Sequence, residues 1–244
     1  MATLYIIPTP IGNLEDITVR AKNVLEKLEV IFCEDTRVTR KLFSLLKLSL
    51  DKKNFYSNFE HNEKANVTQI IDLLKKDTDV GIVTDAGTPL ISDPGFPIVR
   101  EVRKILKENP VDYKEIKVEV LPGASSVIVS LAGSGLPTDK FTFLGFVPKK
   151  PGDRRKLFKS VQKSSNHLTV TYITFESHFR LQSTIEVIHE QLGKNVYIVI
   201  AKELTKLHER FYEGNIIDIK QQLKDKKLNI AGELILLFRT SPNS

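Results

Sequence analysis

The sequence predicts an α/β protein, because short β-rich runs alternate with amphipathic helical stretches through its first half. The β-rich runs are Leu4–Pro8, Val30–Cys33, Val80–Thr84 and Val118–Leu121. Each of them is followed by a turn and then by a segment with apolar residues at helical spacing. This alternation is typical of a mostly parallel sheet that is covered by helices on both faces.

The second half of the chain is richer in strands and poorer in crossover helices. Its strongest strand candidates are Leu168–Phe175, Val196–Ile200 and Leu234–Phe238. We therefore predict two domains: an N-terminal α/β domain over residues 1–118, with a mostly parallel sheet, and a C-terminal mixed α+β domain over residues 119–244.

Composition places the chain among globular proteins, with 41% hydrophobic and 27% charged residues. No apolar run approaches the ~18 residues that a membrane-spanning helix needs, so no membrane partner is expected. The single cysteine, Cys33, cannot form an internal disulfide, and no Cys or His residues have zinc spacing. We predict no metal site and expect a cytoplasmic protein.

The net charge of +6 is concentrated in one segment. Residues 149–163 carry seven basic residues and one acidic residue, so this segment alone accounts for the whole net charge. A local basic patch indicates an anionic partner, most commonly a nucleic acid, although a solvated lysine-rich surface explains the charge equally well. The candidate RNA contacts are Lys149, Lys150, Arg154, Arg155 and Lys156, together with Arg37 and Arg40 at the start of a predicted helix.

Three loops that follow predicted strands contain more proline, glycine and hydroxyl residues than a simple connection needs. They are PTPIGNLEDIT from Pro8, TDAGTPLISDPGFP from Thr84 and LPGASS from Leu121. In open α/β sheets, ligands bind beyond the carboxyl ends of the strands, where such loops lie. Neither GxGxxG nor GxxxxGK[ST] occurs, which argues against a Rossmann dehydrogenase and a P-loop NTPase. The loops therefore predict a cofactor of another kind.

Several motifs occur in a characteristic order: IPTPIGNLEDIT, CEDTR, TDAGTPLISDPG, LPGASS, FLGFVPKK and KELTKLHE. Their succession from Leu4 to about Phe238 resembles the ribosomal RNA small subunit methyltransferase I family. That family belongs to the tetrapyrrole-methylase superfamily of class III S-adenosylmethionine-dependent methyltransferases. The chain departs from the family pattern at TFESHFR (Thr174–Arg180), where YESPHR is usual, and at AGE (Ala231–Glu233), where a basic residue commonly precedes the glycine.

The resemblance implies two α/β domains of tetrapyrrole-methylase type with S-adenosylmethionine in the cleft between them. The implied activity is 2′-O-methylation of a cytidine in the decoding region of 16S rRNA, as part of rRNA processing. The implied partners are this RNA within the small ribosomal subunit and a second copy of the chain in a homodimer. The cofactor-binding residues that the resemblance implies are Pro8, Gly12, Asp85, Ala86, Gly87, Thr88, Pro89, Ser92, Asp93, Pro122, Gly123, Ala124, Ser125, Phe175, Glu176, Ala231, Gly232 and Glu233.

Charged residues at the ends of apolar strands are the catalytic candidates. We hypothesise that Lys202 and Glu203, or Glu176, line the site of the reacting hydroxyl, because a hydroxyl is a poor nucleophile until it loses its proton. An ordinary surface ion pair is the alternative for Lys202 and Glu203. Two other functions stay open: a methyltransferase acting on a tetrapyrrole-type small molecule, and a non-catalytic RNA-binding protein.

Overall fold

The structure is a computed structural model that describes residues 2–58, 63–93, 95–108, 116–165 and 170–240. The chain divides into two compact units, Met1–Ser125 and Ser126–Ser244. The predicted boundary at 118/119 lies inside a strand of the first sheet, and the division after Ser125 keeps that strand with its neighbours.

The first unit contains a five-stranded parallel sheet in the order β3-β2-β4-β1-β5. Its strands are β1 (Thr3–Ile6), β2 (Val30–Cys33), β3 (Asn54–Ser57), β4 (Val80–Val83) and β5 (Lys117–Val120). Its helices are α1 (Val19–Lys27), α2 (Thr36–Leu45), α3 (Glu63–Lys75) and α4 (Phe96–Glu108), with a short 3-10 helix at Leu14–Asp16. In the register, Ile6 pairs with both Ile82 and Val120, so the carboxyl ends of β1, β4 and β5 meet at one edge.

Helices cover both faces of the first sheet, as the alternating pattern predicted. Ile70 of α3 and Ile98 of α4 are fully buried in one hydrophobic cluster. Leu25 of α1 and Phe43 of α2 are fully buried in a second cluster, which also contains the single cysteine, Cys33. Burial on both faces explains why β2 and β4 are uniformly buried runs rather than alternating ones.

The second unit contains a mixed five-stranded sheet in the order β6-β7-β10-β8-β9. Its strands are β6 (Phe141–Phe146), β7 (Thr171–Ser177), β8 (Val196–Lys202), β9 (Arg210–Asn215) and β10 (Glu233–Thr240). Its helices are α5 (Ser126–Gly133), α6 (Pro151–Ser165), α7 (Leu181–Leu192) and α8 (Ile216–Lys224). Only the β6–β7 pair is parallel among the pairs described. Residues 168 and 169 of the predicted strand Leu168–Phe175 lie outside the described part of the chain.

One face of the second sheet packs on α6, α7 and α8 through Phe158, Ile185 and Ile219, all fully buried. Alternate strand residues point to the other face, where α5 approaches the sheet. A Cβ on Gly133 of α5 would lie 2.7 Å from Cζ of Phe211, so glycine allows this helix to rest directly on the aromatic ring.

Strand directions bring three strand ends together at one edge of the second sheet. β6 runs parallel to β7, and β10 runs antiparallel to both β7 and β8. Therefore β6, β7 and β8 end where β10 begins, and this edge is called the Lys202 edge below. Within the described residues, no helix combines the length and the apolar character needed to cross a lipid bilayer.

Candidate functional site

The loops after β1 and β4 are bound to each other through Thr9 and Gly87. The amide of Thr9 donates to the carbonyl oxygen of Gly87 at 2.9 Å, and the amide of Gly87 donates back to Thr9 at 3.1 Å. The Thr9 hydroxyl donates to the carbonyl oxygen of Thr84 at 3.1 Å. These hydrogen bonds join the two loops to each other at the carboxyl ends of adjacent strands.

The loop after β5 joins the same assembly. The hydroxyl of Thr88 donates to the carbonyl oxygen of Ala124 at 2.9 Å. Gly123 lies so close to Pro8 that a Cβ on Gly123 would be 2.4 Å from the Pro8 Cβ. We call this assembly, formed by residues 8–12, 84–93 and 122–125, the three-loop site.

Part of the three-loop site holds its backbone in an uncommon conformation. Gly87 has φ of +89°, while the non-glycine residues Leu90 and Ser92 have φ of +74° and +65°. Such conformations cost free energy and persist where surrounding contacts enforce them, which is common at ligand sites. Ala86 and Gly123 are exposed, so their backbone is accessible to a ligand.

Carboxylates concentrate at the adjoining ends of β2 and β4. Asp85 accepts a hydrogen bond from the amide of Asp35 at 3.1 Å, and Glu34 accepts one from the Thr84 hydroxyl at 3.0 Å. Burial raises the pKa of Asp93 to about 6, and the nearby charges of Glu34 and Asp85 add to the shift while a hydrogen bond with Thr84 opposes it. Burial is also the main cause that raises the pKa of Asp85. Glu34, Asp85 and Asp93 form an acidic group that favours a bound cation.

The two basic residues beside this acidic group have partners of their own. Arg37 is exposed and pairs with Asp35 at 2.6 Å, and its hydrogen bonds are the main reason that the pKa of Asp35 falls to about 2. The guanidinium of Arg40 lies over the ring of Phe55, 4.6 Å from the ring centroid. Both side chains are at the surface, where the sequence predicts RNA contacts.

In the second unit, Glu176 and Lys202 flank Leu234 of the central strand on the same face of the sheet. Glu176 is buried, and its carboxylate accepts hydrogen bonds from Thr184 Oγ1 and from the Ser177 amide, the latter at 2.7 Å. Arg180 pairs with the same carboxylate at 2.6 Å. Glu176 thus holds the start of α7 against the end of β7.

Lys202 is in a different situation. Only 5% of the residue is exposed, and no hydrogen bond or ion pair joins its ammonium group to another residue in the described part of the chain. The ammonium nitrogen is not among the buried side-chain atoms that lack a partner, so it keeps contact with solvent. A lysine whose stem is buried while its charged group reaches solvent without a protein partner can offer that charge to a ligand.

Glu203, beside Lys202, is held in a strained conformation with φ of +49°. Its carboxylate accepts from the Glu233 amide at 2.8 Å and pairs with Lys206 at 3.3 Å. The backbone hydrogen bond from Glu233 is the main cause that lowers the pKa of Glu203, and the charge of Lys202 contributes. A Cβ on Gly232 would lie 2.6 Å from the Glu203 carboxylate, which explains the glycine in the AGE motif.

The predicted RNA contacts at the start of α6 differ in their exposure. Lys149, Lys150, Arg155 and Lys156 are exposed at the surface. Arg154 is buried, and its guanidinium donates to the carbonyl oxygens of Pro148 and Lys149 and, at 2.6 Å, to the hydroxyl of Ser183. In this structure Arg154 fixes the β6–α6 loop rather than presenting charge to solvent.

The structure separates the predicted cofactor residues into two groups. Those from Pro8 to Ser125 belong to the three-loop site, where Pro8, Gly87, Thr88, Gly123 and Ala124 make the contacts that join its loops. Those of the second unit, Phe175, Glu176 and Ala231–Glu233, lie at the Lys202 edge. Sequence reasoning did not single out Thr9, whose position between two prolines is a signal that its backbone is fixed. Within the described residues, no group of three or more His, Cys, Asp or Glu side chains could hold a metal ion.

Comparison with known proteins gives the family. The profile of the family described as Tetrapyrrole (Corrin/Porphyrin) Methylases matches residues 3–220. Ribosomal RNA small subunit methyltransferase I from Hydrogenobaculum sp. (strain Y04AAS1) is 44% identical over 236 residues, which cover 96% of this chain and 94% of the relative. The chain belongs to this methyltransferase family.

Other matches agree with that assignment. The relative of the same name from Mycoplasmopsis pulmonis (strain UAB CTIP) is 37% identical over 98% of each chain. The crystal structure of the methyltransferase CobJ has a TM-score of 0.67 and 14% identity, covering 99% of this chain and 95% of that one. This likeness confirms the predicted fold, two α/β units of tetrapyrrole-methylase type.

The three-loop site fits S-adenosylmethionine, the cofactor of these methyltransferases. S-adenosylmethionine carries a sulfonium and an ammonium cation, which the acidic group of Glu34, Asp85 and Asp93 suits. Its ribose hydroxyls can donate to the same carboxylates. Gly87 and Gly123 allow the loops of the site to pack closely, because a Cβ at these positions would lie 3.3 Å from Ile11 and 2.4 Å from Pro8.

Proposed function

We propose that this methyltransferase modifies the 2′-hydroxyl of a cytidine in the decoding region of 16S rRNA, within the small ribosomal subunit. The relatives' name supplies the class of substrate. The observation that carries the choice of a hydroxyl is Lys202 at the end of β8, whose stem is buried and whose ammonium group has no hydrogen-bond or ion-pair partner among the described residues. Such a cation stabilises a developing oxyanion.

The three-loop site holds the methyl donor in this proposal. Asp85 and Asp93 accept hydrogen bonds from its hydroxyl and ammonium groups, while the backbone at Ala86, Gly87 and Gly123 forms a close wall. Bound there, S-adenosylmethionine supplies an electrophilic methyl group that needs no metal. The protein therefore has to contribute binding, orientation and electrostatics.

Lys202, as an ammonium ion, would stabilise negative charge on a ribose 2′-oxygen that lies against it, so that the oxygen becomes a better nucleophile while its proton passes to water. The oxygen–methyl bond would form as the sulfur–methyl bond breaks, with S-adenosylhomocysteine as the leaving group. Glu203 keeps the end of β8 in place through its hydrogen bond from Glu233 and its pair with Lys206. Glu176 acts as a positioning residue, because its carboxylate is already bound to Arg180, Ser177 and Thr184.

The exposed cations Lys149, Lys150, Arg155 and Lys156 contact RNA phosphates in this proposal. Phosphate contacts position an RNA without reading its sequence, which suits a substrate that is presented by a folded ribosomal subunit. We also propose that the functional form is a homodimer.

The test is transfer of labelled methyl groups to 30S subunits from a strain that lacks the modification. We expect one methyl group per subunit, and its position on a 2′-oxygen shows as resistance of the adjacent phosphodiester to alkaline hydrolysis. A methyl group on a base, or on a nucleotide outside the decoding region, contradicts the proposal.

Two further arms of the same experiment address the other functions. Transfer to a porphyrinogen, with none to RNA, supports a tetrapyrrole methyltransferase instead. RNA binding without affinity for S-adenosylmethionine in calorimetric titration supports a non-catalytic RNA-binding protein. Naked 16S rRNA, offered beside intact subunits, identifies which form of the RNA is the substrate.

A further inference from the structure

The Lys202 edge carries exposed apolar side chains that the proposed function does not use. Phe146 at the end of β6 is 62% exposed, and Phe179 just after β7 is 87% exposed. Leu207, in the loop after β8, is 93% exposed. Because these three strands end at the same edge, three large apolar groups face solvent on one side of the second unit.

Phe179 is exposed although the segment around it is firmly held. Its ring centroid lies 3.9 Å from that of His178, with the two planes tilted by 38°. His178 Nδ1 lies 3.3 Å from the carbonyl oxygen of Gly232. On the other side, Arg180 donates to the carbonyl oxygen of Val147 at 3.2 Å and pairs with Glu176.

An aromatic ring held in this way keeps one face available at little entropic cost. A flexible exposed phenylalanine would have to be ordered before it could bind anything, whereas neighbours on both sides already restrain the backbone at Phe179. This is also the segment, TFESHFR, at which the chain departs from the usual family pattern.

We propose that Phe179, supported by His178, is a stacking platform for an unpaired nucleobase of RNA. Every base has a π face, and aromatic side chains beside cations are the usual means of binding single-stranded RNA. The cations are present: Lys149 and Lys150 are exposed just after β6, at the same edge. A polyanion with splayed bases matches both the charge and the aromatic surface. The inference rests on the proposed function in taking RNA as the substrate.

The experiment measures binding of a fluorescein-labelled cytidine decaribonucleotide by fluorescence anisotropy. We expect Phe179→Ala to weaken binding about tenfold, since stacking on one aromatic side chain contributes on that order per base. Phe179→Tyr keeps a π face and should bind as the unmodified protein does. Because no charge is lost, the dependence of the affinity on salt concentration should be the same in all three proteins.

Phe141→Ala is the matched control. Phe141 is 41% exposed at the start of β6, which places it at the opposite edge of the same sheet. We expect this variant to bind the decanucleotide with unchanged affinity. A loss equal to that of Phe179→Ala would mean that exposed aromatic surface in general causes the effect, and would overturn the proposal.

Two other outcomes also overturn it. One is unchanged affinity of Phe179→Ala for the decanucleotide. The other is a change of oligomeric state in sedimentation on Phe179→Ala, which would assign the ring to an interface between copies. Failure of methyl transfer by the unmodified protein bears on the proposed function alone, because the binding comparison needs no catalysis.

Discussion

Gly123 and Pro8 are in such close contact that a methyl group on Gly123 would lie 2.4 Å from the Pro8 Cβ. This contact connects the loop after β5 to the loop after β1, on strands that are direct neighbours in the sheet. The shape of the three-loop site therefore depends on the absence of a single side chain.

Gly123→Ala should weaken binding of S-adenosylmethionine by about tenfold or more. The added methyl group forces the two backbones apart, and overpacking of this kind typically costs about 1–3 kcal/mol. Isothermal titration calorimetry measures the effect. Gly152→Ala is the control, because a Cβ at that exposed position would have no atom within 4 Å. Equal affinities in both variants would show that the three loops do not form the cofactor seat.

The affinity for S-adenosylmethionine should fall as the pH drops below about 6, because Asp93 then becomes protonated. Removal of its negative charge weakens attraction to the sulfonium. S-adenosylhomocysteine lacks this cation, so its affinity should depend less on pH. Titrations of both ligands between about pH 5 and pH 8 compare them. Identical pH profiles would place the sulfonium away from the acidic group.

The Asp93 carboxyl group also makes the stability of the fold depend on pH. This dependence runs in the opposite direction to that of the cofactor affinity. The pKa of this carboxyl group is higher in the folded protein than the ordinary value of 3.8, so the folded state binds the proton more tightly. The stabilisation that results is complete below the ordinary pKa and is lost as the pH rises to about 6. Asp93→Asn should abolish this trend in urea unfolding. After allowance for partial exposure, we expect a gain of about 1 kcal/mol at neutral pH.

Lys202→Met should separate stability from activity. Because the stem of Lys202 is buried and its ammonium group has no partner among the described residues, an apolar replacement of similar length should change the free energy of unfolding by less than about 1.5 kcal/mol. Methyl transfer to 30S subunits should fall about a hundredfold or more, in line with the loss of an oxyanion-stabilising group. Lys194→Met, at the exposed opposite end of β8, serves as the control. Full activity of the Lys202 variant would remove it from the reaction.

Arg154 and Lys150 should respond in opposite ways to substitution. Arg154→Ala leaves the acceptors Pro148, Lys149 and Ser183 without their charged donor, which should lower the free energy of unfolding by about 2–3 kcal/mol. Lys150→Ala should leave stability unchanged but weaken RNA binding. Its plot of log affinity against log salt should become shallower by about 0.7–0.9, the contribution of one phosphate contact. Chemical denaturation measures the stability of each variant, and fluorescence anisotropy measures its RNA binding. Loss of stability in Lys150→Ala but not in Arg154→Ala would refute the distinction.

Sequence periodicity predicted the strands that are buried on both faces, because continuous apolar runs such as Val30–Cys33 have few alternative structures. It missed β3, whose sequence NFYS is short and half-exposed at the edge of the sheet. Only its pairing with β2 makes this segment a strand, and that pairing is a tertiary contact.

The sequence predicted only part of the candidate site, again because some of its features depend on tertiary contacts. Glycine and proline content indicated which loops are rigid, since these residues act locally on the backbone. The role of Thr9 depends on Gly87, far along the chain, and the burial of Arg154 depends on Ser183 in α7. Contacts between residues so far apart in the chain leave no local pattern in a single sequence. Because Arg154 lies in a run of basic residues, the sequence predicted that it would be exposed.

The chain contains one cysteine, and Cys33 is completely buried at the end of β2. Burial raises the pKa of its thiol to about 11, so almost none is thiolate at neutral pH. The native protein should therefore be inert to maleimides. A cysteine introduced at any exposed position would be the sole site of labelling, which makes fluorophore or spin-label attachment practical without first removing a native thiol.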